Sequence, residues 1–160
     1  MKKLTDVIKE MVSSHYPSRP ASIREIREWE KRAGISLPDD IRLLYQMSNG
    51  CRFFRADDSP YTIVGLENLG STRRVMYSSG NPSLGPDSIF AFIRIFDGDF
   101  IGLDVQETVN QKYRFLDAFC ETFFSEWRNP KVISNSLAEL LQLIMHSSGD
   151  YFWLKSRARL

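Results

Sequence analysis

Seven carboxylates crowd one stretch of this chain: Asp97, Asp99, Asp104, Glu107, Asp117, Glu121 and Glu126, against only Lys112 and Arg114 as cations. Acids this close can hold a metal, run acid–base chemistry, or present a negative face to a basic protein. Spacing argues against a metal. Asp97 belongs to an Asp-Gly turn, and an odd separation sends Asp99 and Asp104 to opposite faces of a strand. No EF-hand spacing or histidine partner accompanies them, so neither metal nor cofactor is expected. What remains is electrostatic. A negative patch docks on a basic partner, speeds association and fixes orientation. Tyr113, Phe124 and Trp127 lie among these acids and can anchor it, since aromatic side chains concentrate interface energy. The expected partner-binding set is therefore the seven acids with Tyr113. An ordinary solvated surface is the plainer reading of the same run.

Other reactive side chains lack companions. Ser78, Ser79 and Ser83 sit in a polar stretch without a nucleophile-elbow pattern. Cys51 has no base beside it, and burial is its expected role. His15 and His146 are isolated, each near an expected helix end where a cation is favourable. Asp39 and Asp40 read as helix-start residues, not an acid–base pair. A non-catalytic protein is expected.

The chain has 160 residues and a formal charge of +1. That length suits one domain with a sizeable core. The charge balance gives no basic footprint for nucleic acid. Two cysteines, Cys51 and Cys120, make no disulfide framework and favour a reducing compartment. Asp6, Lys9 and Glu10 interrupt any signal-peptide core, and no window approaches the roughly 20 apolar residues of a membrane span. A cytoplasmic location is expected.

The elements that must position these residues are legible in part. A helix is expected over about 3–14. The turn Tyr16-Pro17-Ser18-Arg19-Pro20 follows. Ser22 and Glu25 form a capping box ahead of the apolar stripe Ile23, Ile26 and Trp29, and Gly34 ends that helix. Leu37-Pro38 starts the next helix, which Asn49-Gly50 ends. Residues 51–60 read as loop, Tyr61 to Leu66 as a short strand, and 71–77 as a helical turn. Ile89 to Phe96 reads as a central strand covered on both faces, turning at Asp97-Gly98 into a return strand over 99–105. Lys112 to Leu116 reads as a third strand. Ala118 to Trp127 is ambiguous, although Phe119, Phe123 and Trp127 fall at helical spacing. Ser136 and Glu139 form a second capping box ahead of a closing helix with Leu137, Leu140, Leu141, Ile144 and Met145 on its apolar face. Residues 1–21 read as an N-terminal helix and turn, 22–146 as the core module, and 147–160 as an apolar segment with a basic tail, all in one domain.

In the order and spacing of three segments the chain resembles the SUKH superfamily, which groups bacterial immunity proteins with yeast cell-wall-assembly regulators. The first is Ile26 through Gly50, with Glu30, Gly34, Leu37, Pro38, Asn49 and Gly50 as structural motif residues. The second is Gly98-Asp99-Phe100-Ile101 through Leu103-Asp104. The third is Ile133 through Leu141. Two departures stand out. Cys51 follows Asn49-Gly50 where the family often has a second glycine, and residues 106–131 do not align. The resemblance implies an α+β fold, a curved antiparallel sheet packed by helices. It also implies a non-catalytic intracellular immunity protein that neutralises a protein toxin, often a nuclease, by direct binding. The alternative it implies is a regulatory protein-binding scaffold.

Overall fold

Helix capping organises the first half of the chain. The computed structural model describes residues 2–95, 98–107 and 110–156. Its elements run α1 (Leu4–Ser14), β1 (Tyr16–Pro17), α2 (Ile23–Ala33), α3 (Asp39–Met47), β2 (Cys51–Arg52), β3 (Tyr61–Ile63), α4 (Thr72–Tyr77), β4 (Ile89–Ile95), β5 (Phe100–Glu107), β6 (Lys112–Ala118), α5 (Phe123–Glu126), β7 (Val132–Ser134) and α6 (Leu137–His146). The Ser22 side chain accepts the Glu25 amide, and the Glu25 carboxylate accepts the Ser22 amide, which completes the expected capping box. Arg19 and that amide together hold the Glu25 carboxyl down at about 2. Gly34 ends α2 in the left-handed conformation.

Two helix starts differ from expectation. Pro38 occupies the cap of α3, so the helix begins one residue later, at Asp39. At α6 the capping box is half built. Ser136 accepts the Glu139 amide at 3.3 Å, but the Glu139 carboxylate takes the Ser134 hydroxyl at 2.6 Å. The Ser136 amide goes to Ser134 Oγ as well. Buried Ser134, at the end of β7, outcompetes the cap residue for both groups.

The seven strands form one antiparallel sheet in sequence order. Side chains alternate between its faces. On β5, Ile101, Leu103 and Val105 face the large core shared with α1, α2, α3 and α6, while Phe100 faces a second, smaller core. That second core joins Ile89, Ala91, Leu116, Ala118 and Phe123 beneath α4 and α5. β4 is thus covered on both faces, as its apolar run implies. β1, β2 and β7, and the 3-10 turn Leu66–Asn68, replace what read as loop, strand end or helix start.

His15 is a correction of another kind. It closes α1 but is not placed as a helix-end cation. Its ring lies 5.0 Å from the rings of both Phe53 and Phe54, and Nδ1 accepts the Phe54 amide at 3.0 Å. Phe54 holds a positive φ of 68°, so this bond fixes a strained residue. Burial lowers the His15 pKa from 6.5, against a smaller opposing pull from Glu10. Protonation at Nδ1 removes the acceptor. The unfolded chain takes up that proton first, so stability is present at neutral pH and falls as pH drops below about 6.5. Urea midpoints are expected to decrease from pH 7.5 to pH 5.5, and His15→Gln, which keeps an acceptor but does not titrate, flattens that slope.

Candidate functional site

The candidate acids do not form one face. Asp104 and Asp117 are each 5% exposed. Asp104 lies opposite Arg114 across the β5–β6 pair and bonds it at 2.9 Å. Asp117 pairs with Ile101, and its amide donates to the Lys131 carbonyl. Carboxylates buried to this extent cannot be offered to a partner. Glu107 is placed by its backbone opposite Lys112, and Asp97 lies outside the described residues. Asp99 is half-buried and accepts the Cys120 amide at 2.9 Å. Glu121 and Glu126 remain exposed beside α5. Between them Phe124 is 45% exposed, its ring edge-on to Tyr77. Trp127 is only half-buried, with its indole N–H on the Ser83 carbonyl and Arg128 stacked 4.3 Å from its ring centroid. What survives as a surface is therefore Glu121, Phe124 and Glu126.

Tyr113, expected as a contact residue, has its hydroxyl engaged inside the fold. It donates to Asp40 Oδ2 at 2.5 Å and accepts the Leu137 amide at 3.2 Å. One hydroxyl thus ties β6 to the starts of α3 and α6. Asp40 is occupied by that bond, and Asp39 pairs with Arg42. Burial pushes the Cys51 thiol up to about 12, which leaves it a core side chain. Among the described residues no group of three or more His, Cys, Asp and Glu side chains converges to hold a metal, and no helix is long and apolar enough to cross a membrane.

The motif residues hold backbone. Glu30 reaches across the α2–α3 connection, where Oε2 accepts the Leu37 amide at 2.6 Å and an Arg42 N–H at 2.8 Å. Asn49 Oδ1 accepts the Leu66 amide at 2.9 Å, and its Nδ2 donates to Glu67 at 3.2 Å. Gly50 sits at a φ of 106°, where a Cβ would lie 2.7 Å from the Ile63 carbonyl oxygen. These roles follow from side chains that stand in for missing backbone partners.

Register also assembles a row that the linear sequence hides. Tyr16, Arg52, Thr62 and Arg94 are direct neighbours across β1 to β4. Their face is the one opposite the large core, and Val75 of α4 borders the cleft over Arg52, Thr62 and Arg94. Two-residue strands carry no alternation, so no local signal marks this row.

A seven-stranded antiparallel sheet with helices over one face, a thin second layer over part of the other, and polar side chains used to staple backbone defines a single-domain α+β scaffold. The chain belongs to the SMI1 / KNR4 family (SUKH-1), whose model matches residues 20–143. The match takes in all three segments that carry the resemblance. A search among curated proteins returns no match. Family membership supports a general immunity or regulatory role exercised on protein partners.

Removing the Glu30 carboxylate leaves the part-buried Leu37 amide without its acceptor and the Arg42 guanidinium with Asp39 alone. Glu30→Ala is expected to cost about 2 kcal/mol in urea unfolding, and Glu30→Gln, which can still accept from Leu37, about half of that.

Proposed function

We propose that this protein is a non-catalytic immunity protein that binds a cognate polymorphic toxin inside the cell and blocks it. The family match carries this reading, because it spans β2 to β7, α2 to α5 and most of α6. The placement of the polar side chains supports it. Glu30, Asp40, Asn49 and Tyr113 hold backbone or each other. A nuclease is the toxin chemistry we favour, since such enzymes carry basic substrate-binding surfaces. Exposed Glu121 and Glu126 flanking Phe124 then supply the complementary charge and an aromatic anchor. A regulatory scaffold is the second reading, since membership of the same family supports a regulatory role as well.

The test is to sequence the reading frames beside this gene, co-express the toxic C-terminal domain of any polymorphic toxin found there, and run calorimetry on the purified pair. Rescue of growth and a stable complex are expected. Phe124→Ala and the double variant Glu121→Lys/Glu126→Lys are each expected to weaken binding tenfold or more while the thermal midpoint stays unchanged. Absence of rescue and of binding sinks the immunity reading. Recovery of housekeeping proteins on the immobilised chain moves the weight to the scaffold.

A further inference from the structure

Three clefts meet at one side chain, Glu67, on the 3-10 turn Leu66–Asn68. The largest, about 650 Å³, runs between the end of α2 and the start of α4 and is flanked by Arg32 and Arg74. Its floor is apolar, where the Trp29 indole packs edge-on against Phe90 at 5.4 Å. The second, about 420 Å³, opens onto the uncovered sheet face and is flanked by Arg52 and Arg94, with Val64 and Phe100 beneath. The two arginines stand on β2 and β4, two strands apart and in register through Thr62, so their backbones are about 9.5 Å apart.

The charges on this face are unevenly matched. Three of the neighbouring acids have partners, Glu25 with Arg19, Glu28 with Arg24 and Asp87 with Arg73, which leaves Glu67, Asp57 and Asp58 on the cleft walls. None of Arg32, Arg52, Arg74 or Arg94 forms an ion pair among the described residues, and the side-chain bond of Arg52 goes to the Ala56 carbonyl. Four exposed arginines therefore line two largely polar clefts that have a few apolar side chains at their base. Guanidinium recognises carboxylates with paired N–H bonds, and this geometry takes apolar side chains beneath and acidic ones at the rim.

We propose that this face is a second docking surface, separate from the α5 surface, that takes an acidic, apolar-containing segment of a protein partner. The proposal rests on the reading of the chain as a protein-binding module. A phosphate backbone fits less well. Glu67 stands at the junction of the clefts, with Asp57 and Asp58 on the outer rim beside Arg52. A continuous polyanion would meet those charges, whereas a short segment can place its carboxylates on the arginines alone.

Fluorescence anisotropy tests this with a short labelled peptide of alternating Glu, Asp, Leu and Phe. Its Gln/Asn counterpart and a single-stranded RNA of matched length serve as comparisons. The wild-type chain is expected to bind the acidic peptide at low salt and not the neutral one. Arg32→Gln/Arg74→Gln and Arg52→Gln/Arg94→Gln are each expected to weaken it at least tenfold, and Glu121→Gln/Glu126→Gln to leave it unchanged. Lysine at the same four positions, a fold control that keeps the charge, is expected to retain part of the affinity. No binding by the wild-type chain, equal binding of the neutral peptide, or tighter arginine-dependent binding of RNA each overturns the proposal. The assay needs no toxin. Loss of peptide binding with toxin neutralisation intact removes this surface alone, and the reverse pattern removes the immunity reading alone.

Discussion

The corner at Asn49-Gly50 is the constraint from which the open half of the molecule is built. The chain leaves α3 at Ser48 and must enter β2 within three residues. Gly50 makes that possible because its backbone lies against β3, with the Ile63 carbonyl where a side chain would go. The Gly50 carbonyl accepts the Ser18 amide at 3.0 Å and the buried Ser48 hydroxyl at 2.5 Å, which draws in the strand after α1. Asn49 works in the other direction. Its amide donates to the Arg19 carbonyl, and its side chain captures Leu66 and Glu67. Two adjacent residues thus set where β1, β2, β3 and the 3-10 turn sit relative to one another.

That arrangement explains why the sheet has two unlike ends. Helices α1, α3 and α6 need a continuous apolar face, and the strands supply it from Cys51 on β2 to Phe115 on β6. The opposite face has only short helices to cover it. α4 and α5 reach the β4 to β6 end, where Ala91, Gly102 and Ala118 leave room for Phe123. Gly102 is tight in its own right, since a Cβ there would come within 3.2 Å of Ile89. The β1 to β3 end stays bare and carries polar side chains, as an uncovered sheet face must. One end of this face bears Glu121 and Glu126, the other Arg52 and Arg94.

What the sequence disclosed divides along the same line. Capping residues act within four positions of each other, so the starts of α2 and α6 and the end of α2 at Gly34 were readable, as was the apolar run of β4. Three features depended on pairing between distant segments and had no local mark. β1 and β2 exist only because the Asn49-Gly50 corner brings Tyr16 and Arg52 together. The half-built cap of α6 reflects Ser134, which only pairing with Phe115 places there. The acidic run looked continuous, but in the folded sheet Asp104 and Asp117 are buried, and the β5–β6 register sets Asp104 opposite Arg114. Conversely, Arg32, Arg52, Arg74 and Arg94 are roughly twenty residues apart each and form a group only in the folded chain. The fold class was legible, whereas the surface chemistry was mostly a product of register.

The most direct test of this account is hydrogen–deuterium exchange on Asn49→Ala against the wild-type chain. If the Asn49 side chain holds the 3-10 turn, the amides of Leu66 to Leu69 exchange at least tenfold faster in the variant while those of α1 and α6 keep their protection. Unchanged protection at Leu66 would contradict it, and would mean that the corner is a consequence of the fold and not what positions its open face.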